Sequence, residues 1–408
     1  MIPNDPIGII ELGNKNLKCL IFRINNNKAE ILSTSITSSH GIYNDLVINL
    51  EKASNAVRVC IGSAEKKAKI SLKKINVILE QSDFLCTKFS KHKKIHGSKI
   101  HNDDIEFLLN DAKKQLIHND KNQSIIHIFN HNYIVDGKEY IEEPIDIYAD
   151  SLAHEMTFIT APKNNLKNIN EIFLNCDIEV ARFFSRIFSL GAKLLTEKEL
   201  QFGSAVINLD LERISLGFFK NFALVNSITL PFGTNNITKD ISKVCSLDID
   251  ESEIIKNEID FLFHKSQNIF DKDDFLKKKY FINSNYRKIS KNLIINVIQA
   301  RLEEIFNIIK NQLKISGFNL KLKVNLLLIE EDTSLLNLDK YCESFFETNV
   351  KKINNKDFNN YSELEKNFAS HLGALKIIKD GWETEAIPKS PEISMKKINF
   401  FSKIFKNK

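Results

Sequence analysis

The chain has 408 residues, room for two to four domains that each bury their own core. Hydrophobic residues at 43% and charged residues at 27% exclude wholesale disorder, and thirteen glycines with seven prolines exclude a collagen-like or low-complexity architecture. Lysine plus arginine is 57 against 52 acids, and a balance of +5 spread over this length gives no reason to expect a nucleic-acid partner. Six cysteines, none at CxxC spacing, predict reduced thiols and no structural zinc. No apolar run approaches ~20 residues. The opening MIPNDPIGII lacks a signal-peptide pattern, so a cytoplasmic protein is expected.

The first segment reads as three strands joined by tight turns. Ile7–Leu12 is apolar, Gly13-Asn14-Lys15-Asn16 is a turn, Leu17–Ile24 alternates, and Asn25-Asn26-Asn27 precedes a third strand, Ala29–Ser33. Glu51–Lys69 sets Ala53, Ala56, Val57, Cys60, Ile61 and Ala64 at helical spacing, and Ile75–Leu79 is a short apolar strand. Lys88–Lys99 reads as a basic connector. Asn102-Asp103-Asp104 caps a predicted helix from Ile105 to Leu116, with strands expected at Ser124–Tyr133, Lys138–Ile141 and His154–Ala161. Residues 84–160 therefore look like a small insert with its own helix and sheet. Helix Asn165–Leu174, strand Ile178–Phe184 and helix Ser189–Thr196 resume the first pattern.

At 203 the opening pattern returns, as strands Ala205–Leu209, Ile214–Phe219 and Ala223–Leu230. A recurring three-strand meander is an internal duplication signal. Helix Thr238–Val244, a Lys-rich insert at 248–290, a long helix Leu293–Leu313, a buried strand Lys323–Ile329 and a final helix Ser362–Lys379 follow. Two copies of a β-β-β-α-β-α layout predict an α/β protein with the duplicated actin-like (RNase H-like) ATPase fold, an inserted small α+β subdomain and a C-terminal amphipathic helix. The expected domains are a first half (1–83 and 161–200), the insert (84–160), a second half (201–247 and 316–382) with an upper subdomain (248–315), a linker (383–393) and a terminal helix (394–408).

The tail carries the clearest physical signal. Behind a linker with Pro388 and Pro391, Met395, Ile398, Phe401, Ile404 and Phe405 fall on one helical face with Phe400 at its edge, while Lys396, Lys403 and Lys406 lie opposite. Lys397 sits in the apolar arc and must snorkel. From 395 onward there are five lysines and no acid. An apolar face backed by lysine alone predicts an interfacial helix on an anionic membrane. Burial of the apolar side chains at ~5–9 kcal/mol nearly cancels against the ordering cost, so one tail binds weakly and several tails on one polymer bind tightly.

Six stretches, in order, resemble the bacterial cell-division family FtsA: ELGNKNLKCLIF (11–22), GIYNDLVINLEKASNAV (41–57), the segment 126–162 within the insert, LTEKELQFGSAVINL (195–209), PFGTNNITKDIS (231–242) and QARLEEIFNIIKNQLKISG (299–317). The resemblance spans residues 7–382 and the tail. It implies an ATP·Mg²⁺ site on two hairpins, which here would be Gly13, Asn14, Lys15 and Asn16 with Asp210, Arg213 and Gly233. It implies a partner surface or the adenine edge near Arg301 and Glu304, a membrane-targeting end, and self-association into oligomers or filaments. The implied partners are the C-terminal peptide of the ring protein FtsZ, docked near 245–315, later division proteins, and the cytoplasmic face of the inner membrane.

The nucleotide pattern departs from that family. Its first hairpin begins Asp-x-Gly, and here reads Glu11-Leu12-Gly13. Its second is an Asp followed by three glycines, and here reads Asn208-Leu209-Asp210-Leu211-Glu212-Arg213, without a glycine. The paired glycines that pack on adenosine are replaced by Glu330-Glu331, and Gly233-Thr234 keeps one of another pair. A Cβ where backbone must touch phosphate loses contact, and two carboxylates repel. Arg213 would offset this by donating to a phosphate. The expectation is a scaffold, not an enzyme, with weakened or lost ATP binding. The alternatives are a pilus-assembly actin-like protein, or an actin-fold small-molecule kinase, which the glycine-free loop opposes.

Overall fold

The computed structural model describes residues 5–43, 46–260, 275–315, 325–330, 335–354 and 363–380. Two compact units emerge: 1–203 with 219–228 and 367–408, and 204–218 with 229–366.

In the first unit β1 (Ile7–Leu12), β2 (Asn16–Asn25) and β3 (Lys28–Ser38) form an antiparallel meander. The two-residue strands β4 (Ile42–Tyr43) and β5 (Leu46–Val47) pair before helix α1 (Leu50–Ala68). Helix α1 starts where the Asn49 side chain accepts from the Lys52 N–H at 2.9 Å, satisfying a donor that the first turn leaves open. Strand β6 (Lys74–Leu79) lies parallel to β1.

The insert follows as β7 (Leu85–Lys99), α2 (Asn102–Asn119), β8 (Gln123–Val135), β9 (Lys138–Tyr140) and β10 (Tyr148–Pro162), with sheet order β7-β10-β8-β9. The expected basic connector is thus a fifteen-residue edge strand. Its alternation is hidden because Lys91 and Lys93 occupy the helix-facing positions. They lay their stems over the sheet and reach Asp111 (2.5 Å) and Asp104 (2.7 Å) of α2. Asp136-Gly137 forms the β8–β9 hairpin turn with φ of 47° and 80°, the geometry that an Asp-Gly pair favours.

The chain re-enters the body through α3 (Lys163–Leu174), β11 (Glu179–Ser185), α4 (Arg186–Leu194) and α5 (Glu197–Phe202). The helix expected at Ser189–Thr196 starts at Arg186 and stops at Leu194, because Thr196 caps α5 in a reciprocal pair with Glu199. Ile10, Leu17, Cys19 and Ile21 of the sheet pack on Val57 and Ala64 of α1 and on Ile172 and Phe173 of α3. The first sheet reads β11-β6-β1-β2-β3.

The second half repeats it. β12 (Ser204–Leu209), β13 (Ile214–Lys220) and β14 (Ala223–Leu230) precede α6 (Asn235–Cys245), α7 (Ile249–Glu258), a 3₁₀ turn at Lys278–Tyr280 and α8 (Lys291–Ile315). Then come β15 (Asn325–Glu330), α9 (Leu338–Phe346), β16 (Val350–Asn354), α10 (Glu363–Asn367) and α11 (Ala369–Asp380). The sheet order is β14-β13-β12-β15-β16, with β12/β15 and β15/β16 parallel. Read from the meander edge, this is the order of the first sheet. The duplication holds strand for strand.

Two expectations on domains need correction. The expected final helix Ser362–Lys379 is split at Phe368, and α11 belongs to the first unit, not to the second half. Gly373 allows this, since a Cβ there would lie 1.8 Å from the Ser189 carbonyl oxygen of α4. Residues 219–228 also go with the first unit. The linker 383–393 and the terminal segment 394–408, with every predicted membrane residue, lie outside the described residues.

Candidate functional site

In doubly wound α/β sheets, ligands sit beyond the carboxyl ends of the strands. In the first unit that end is filled by a charged cluster. Glu11, the fifth residue of β1, is buried, and its carboxylate lies 3.2 Å from Arg186 Nε at the start of α4. Arg186 Nη1 reaches Glu80 Oε2 at 3.2 Å, just past β6. Ser370 of α11 donates its hydroxyl to Glu11. His371 donates from Nε2 to the Lys18 carbonyl at 2.9 Å, and its Nδ1 faces the Ser370 hydroxyl at 3.2 Å. Burial opposes the charge of Glu11, but Arg186, Lys18, His371 and the Ser370 hydrogen bond together pull its carboxyl down to about 2. Burial pushes His371 down to about 4, against the pull of Glu11, so the ring is neutral near pH 7. None of Arg186, Glu80, Ser370 and His371 was picked out from sequence. The available signal was an arginine heading an otherwise apolar helix, Arg186-Ile187-Phe188.

The first hairpin, just beyond Glu11, is a turn as expected. Gly13 and Asn14 are half-buried and Lys15 and Asn16 exposed. A Cβ on Gly13 would lie 2.6 Å from the Asn16 carbonyl oxygen, so the tight turn alone accounts for this glycine.

In the second unit, Asn208 holds the position of Glu11, fifth in β12, and is fully buried. Its side-chain amide makes no hydrogen bond among the described residues. Beside it, Glu330 at the end of β15 is buried against Lys352 Nζ at 2.9 Å and accepts from the Leu335 N–H at 3.2 Å. Burial raises the Glu330 carboxyl in spite of Lys352. Glu331 lies outside the described residues.

The second hairpin closes on itself. The Asp210 N–H donates to the Arg213 carbonyl at 3.0 Å, and the Leu211 N–H to the Asp210 carboxylate at 2.6 Å. Thr234 and Asn235, opening α6, donate their N–H groups to the carbonyls of Asp210 (3.0 Å) and Leu211 (2.9 Å). The Asn235 amide holds Glu212 at 2.8 Å. Gly233 serves this contact, since a Cβ would lie 2.4 Å from both the Asp210 and Leu211 carbonyl oxygens. Arg213 is buried, not presented at the turn.

Set against a polyphosphate, these residues fit poorly. The backbone donors of the hairpin and of the α6 start face carbonyls and a carboxylate. Two acids flank the turn, and the acid of β1 is held by arginine and serine instead of being open to a cation. Among the described residues no cluster of three or more His, Cys, Asp or Glu could hold a metal ion.

Arg301 and Glu304, on α8, form the ion pair their spacing implies, at 2.5 Å. Arg301 also binds Asp240 of α6 at 2.7 Å, a partner the sequence did not reveal.

Most of the chain is similar to known cell-division proteins. A family model described as "SHS2 domain inserted in FTSA" matches residues 84–160, the span of the insert. The chain is similar to the cell-division protein FtsA. FtsA of Buchnera aphidicola subsp. Schizaphis graminum is 26% identical over 309 residues, 74% of this chain and 72% of that one. FtsA of Neisseria meningitidis serogroup B is 22% identical over 347 residues (85% and 83%), and FtsA of Agrobacterium fabrum 21% over 330 residues (77% and 73%). Among solved structures, the type IV pilus PilM-PilN complex aligns at a TM-score of 0.59 and 12% identity, over 91% of this chain and 98% of that one. At that identity the likeness speaks to the actin-like fold alone. The FtsA insert, in contrast, is matched by its own family model. Among the described residues no helix is long and apolar enough to cross a membrane.

Proposed function

We propose that this FtsA relative is a non-enzymatic tether. It holds the FtsZ ring to the cytoplasmic face of the inner membrane at the division site and helps recruit later division proteins. The observation that carries the reading is the SHS2 insert at 84–160, in a chain whose last residues combine an aromatic face with lysine alone. Met395, Ile398, Phe400, Phe401, Ile404 and Phe405 enter the acyl boundary. Lys396, Lys397, Lys403 and Lys406 meet anionic headgroups, each adding about 1 kcal/mol. Self-association multiplies these weak contacts.

The FtsZ C-terminal peptide docks on the second half within 245–315, with Arg301 and Glu304 as candidate contacts. Support comes from the exposed Ile249, Ile282, Tyr286 and Leu293 in that region. ATP binding is weakened or lost, and the second hairpin's internal hydrogen bonds favour this. Neither alternative, pilus assembly or an actin-fold kinase, gains a specific observation beyond the fold.

The test is co-sedimentation with phosphatidylglycerol liposomes. Wild type pellets, while Phe401→Glu with Ile404→Glu stays in the supernatant. Equal pelleting of the two removes the anchor. Equilibrium dialysis with ATP·Mg²⁺ is expected to give at most millimolar affinity, and micromolar binding would sink the weakened-site reading.

A further inference from the structure

The insert exposes a long strand edge that neither the family match nor the tether reading uses. Strand β7 pairs with β10 from Leu85↔Thr160 to Lys99↔Tyr148 and has no partner on its other side among the described residues. From Leu85 to Lys94 every second amide and carbonyl on that side is open to another strand, and a bulge at Ile95–Gly97, with His96 and Gly97 at φ of 56° and 74°, ends the regular ladder. Most natural edges are short or interrupted by proline. This one runs regularly from Leu85 to Lys94 without proline.

Its charge is one-sided. Leu85–Lys99 contains five lysines, two histidines and no acid. On the face towards α2, Lys91 and Lys93 are neutralised by Asp111 and Asp104. On the opposite face Lys88, Ser90, His92 and Lys94 are exposed in alternation, and Lys88 and Lys94 make no ion pair among the described residues. At the start of the strand a groove of about 480 Å³ opens between β7 and the end of α2, lined by Leu85, Lys88, Phe89, Gln115, Leu116 and Asn119.

We infer that β7 is a docking edge for an acidic, extended peptide that adds to the sheet as a fifth strand. The main chain supplies the ladder, and alternate acidic side chains face Lys88 and Lys94. One apolar side chain enters the groove beside Leu85 and Phe89. The lysines also act by exclusion, because two copies of β7 brought edge to edge would repel. The edge thus refuses its own kind and accepts an acidic strand.

The experiment uses the full chain and a labelled, acetylated and amidated peptide, Thr-Glu-Val-Glu-Thr-Glu-Val. Fluorescence anisotropy is expected to report binding that weakens by about tenfold or more in Lys88→Glu with Lys94→Glu. N-methylation of alternate peptide amides, which keeps the charge but removes ladder donors, is expected to abolish it. Amide exchange should slow at residues 85–95 on binding. Equal binding of the N-methylated peptide, or protection confined to other segments, overturns the proposal. If the double variant binds the peptide normally but loses phosphatidylglycerol vesicles, the lysines serve lipid and the proposal is wrong. The variants leave the tail intact, so failure here is distinct from failure of the anchor.

Discussion

The same place in two copies of one sheet carries Glu11 in the first half and Asn208 in the second. Around Glu11, an arginine, a serine and a histidine from α4 and α11 close a network over the strand ends. Around Asn208 lie the Glu330–Lys352 ion pair, with Asp339 at 4.0 Å from the same lysine, and a hairpin tied to the start of α6. The difference teaches that duplication preserves strand order more faithfully than strand-end chemistry. Order is fixed by burial of whole faces. The end of a strand is set by which helix happens to pack there. In the first half that helix is α11, drawn in from the far end of the chain.

The largest expected effect tests the richer cluster. Arg186→Met leaves Glu11 and Glu80 buried without their cation, and a loss of about 3–5 kcal/mol is expected in urea unfolding. Adding Glu11→Gln to that variant should restore part of it. Lys352→Met removes the cation that faces Glu330 in the second half. It should cost less, about 2–3 kcal/mol, because the Leu335 N–H still serves the carboxylate and its raised pKa lets it protonate.

Acid sharpens the contrast further. His371 in the fold titrates near 4, below its ordinary 6.5. The unfolded chain therefore takes up the proton first, and stability complete above pH 6.5 declines as pH falls towards 4, by up to about 3 kcal/mol. Glu11, held near 2 against an ordinary 4.5, adds a loss between pH 4.5 and 2. His154 in the insert, stacked on Tyr133 and pushed by burial to about 4, acts in the same direction as His371. Burial pushes His127 and His131 down as well, so His371→Gln should flatten the slope between pH 6.5 and 4 by roughly a quarter, and an unchanged slope would remove His371 as a source. The smallest effect concerns the second hairpin. Gly233→Ala should cost about 1–3 kcal/mol by forcing the hairpin off α6, read as a lowered Tm.

Much of the architecture was legible. Turn residues at Gly13–Asn16, Asn25–Asn27 and Asp210–Arg213 sit between apolar runs, so both meanders and their repetition could be read directly. The insert and its helix were legible for the same reason. Strand β7 was not, because two of its sheet-covering residues are lysines whose partners lie on a different element. The allegiance of α11 was not, because it depends on a backbone-to-backbone approach at Gly373. At the candidate site, sequence named the hairpins and the Arg301–Glu304 pair. It missed the Glu11–Arg186 contact, which joins residues with no pattern between them. The sequence placed the charges of Asp210 and Glu212 at the second hairpin but not the hydrogen bonds that each accepts from its own neighbourhood.

The insert joins the body through two antiparallel neighbours, since β7 begins at Leu85 opposite Thr160, near the end of β10 at Pro162. Its entry and exit are therefore clamped side by side by a ladder of hydrogen bonds. A tug at the far turn, Asp136-Gly137, would load β8 and β9 lengthwise, and the rungs that β8 shares with β10 would be sheared together instead of opening one by one.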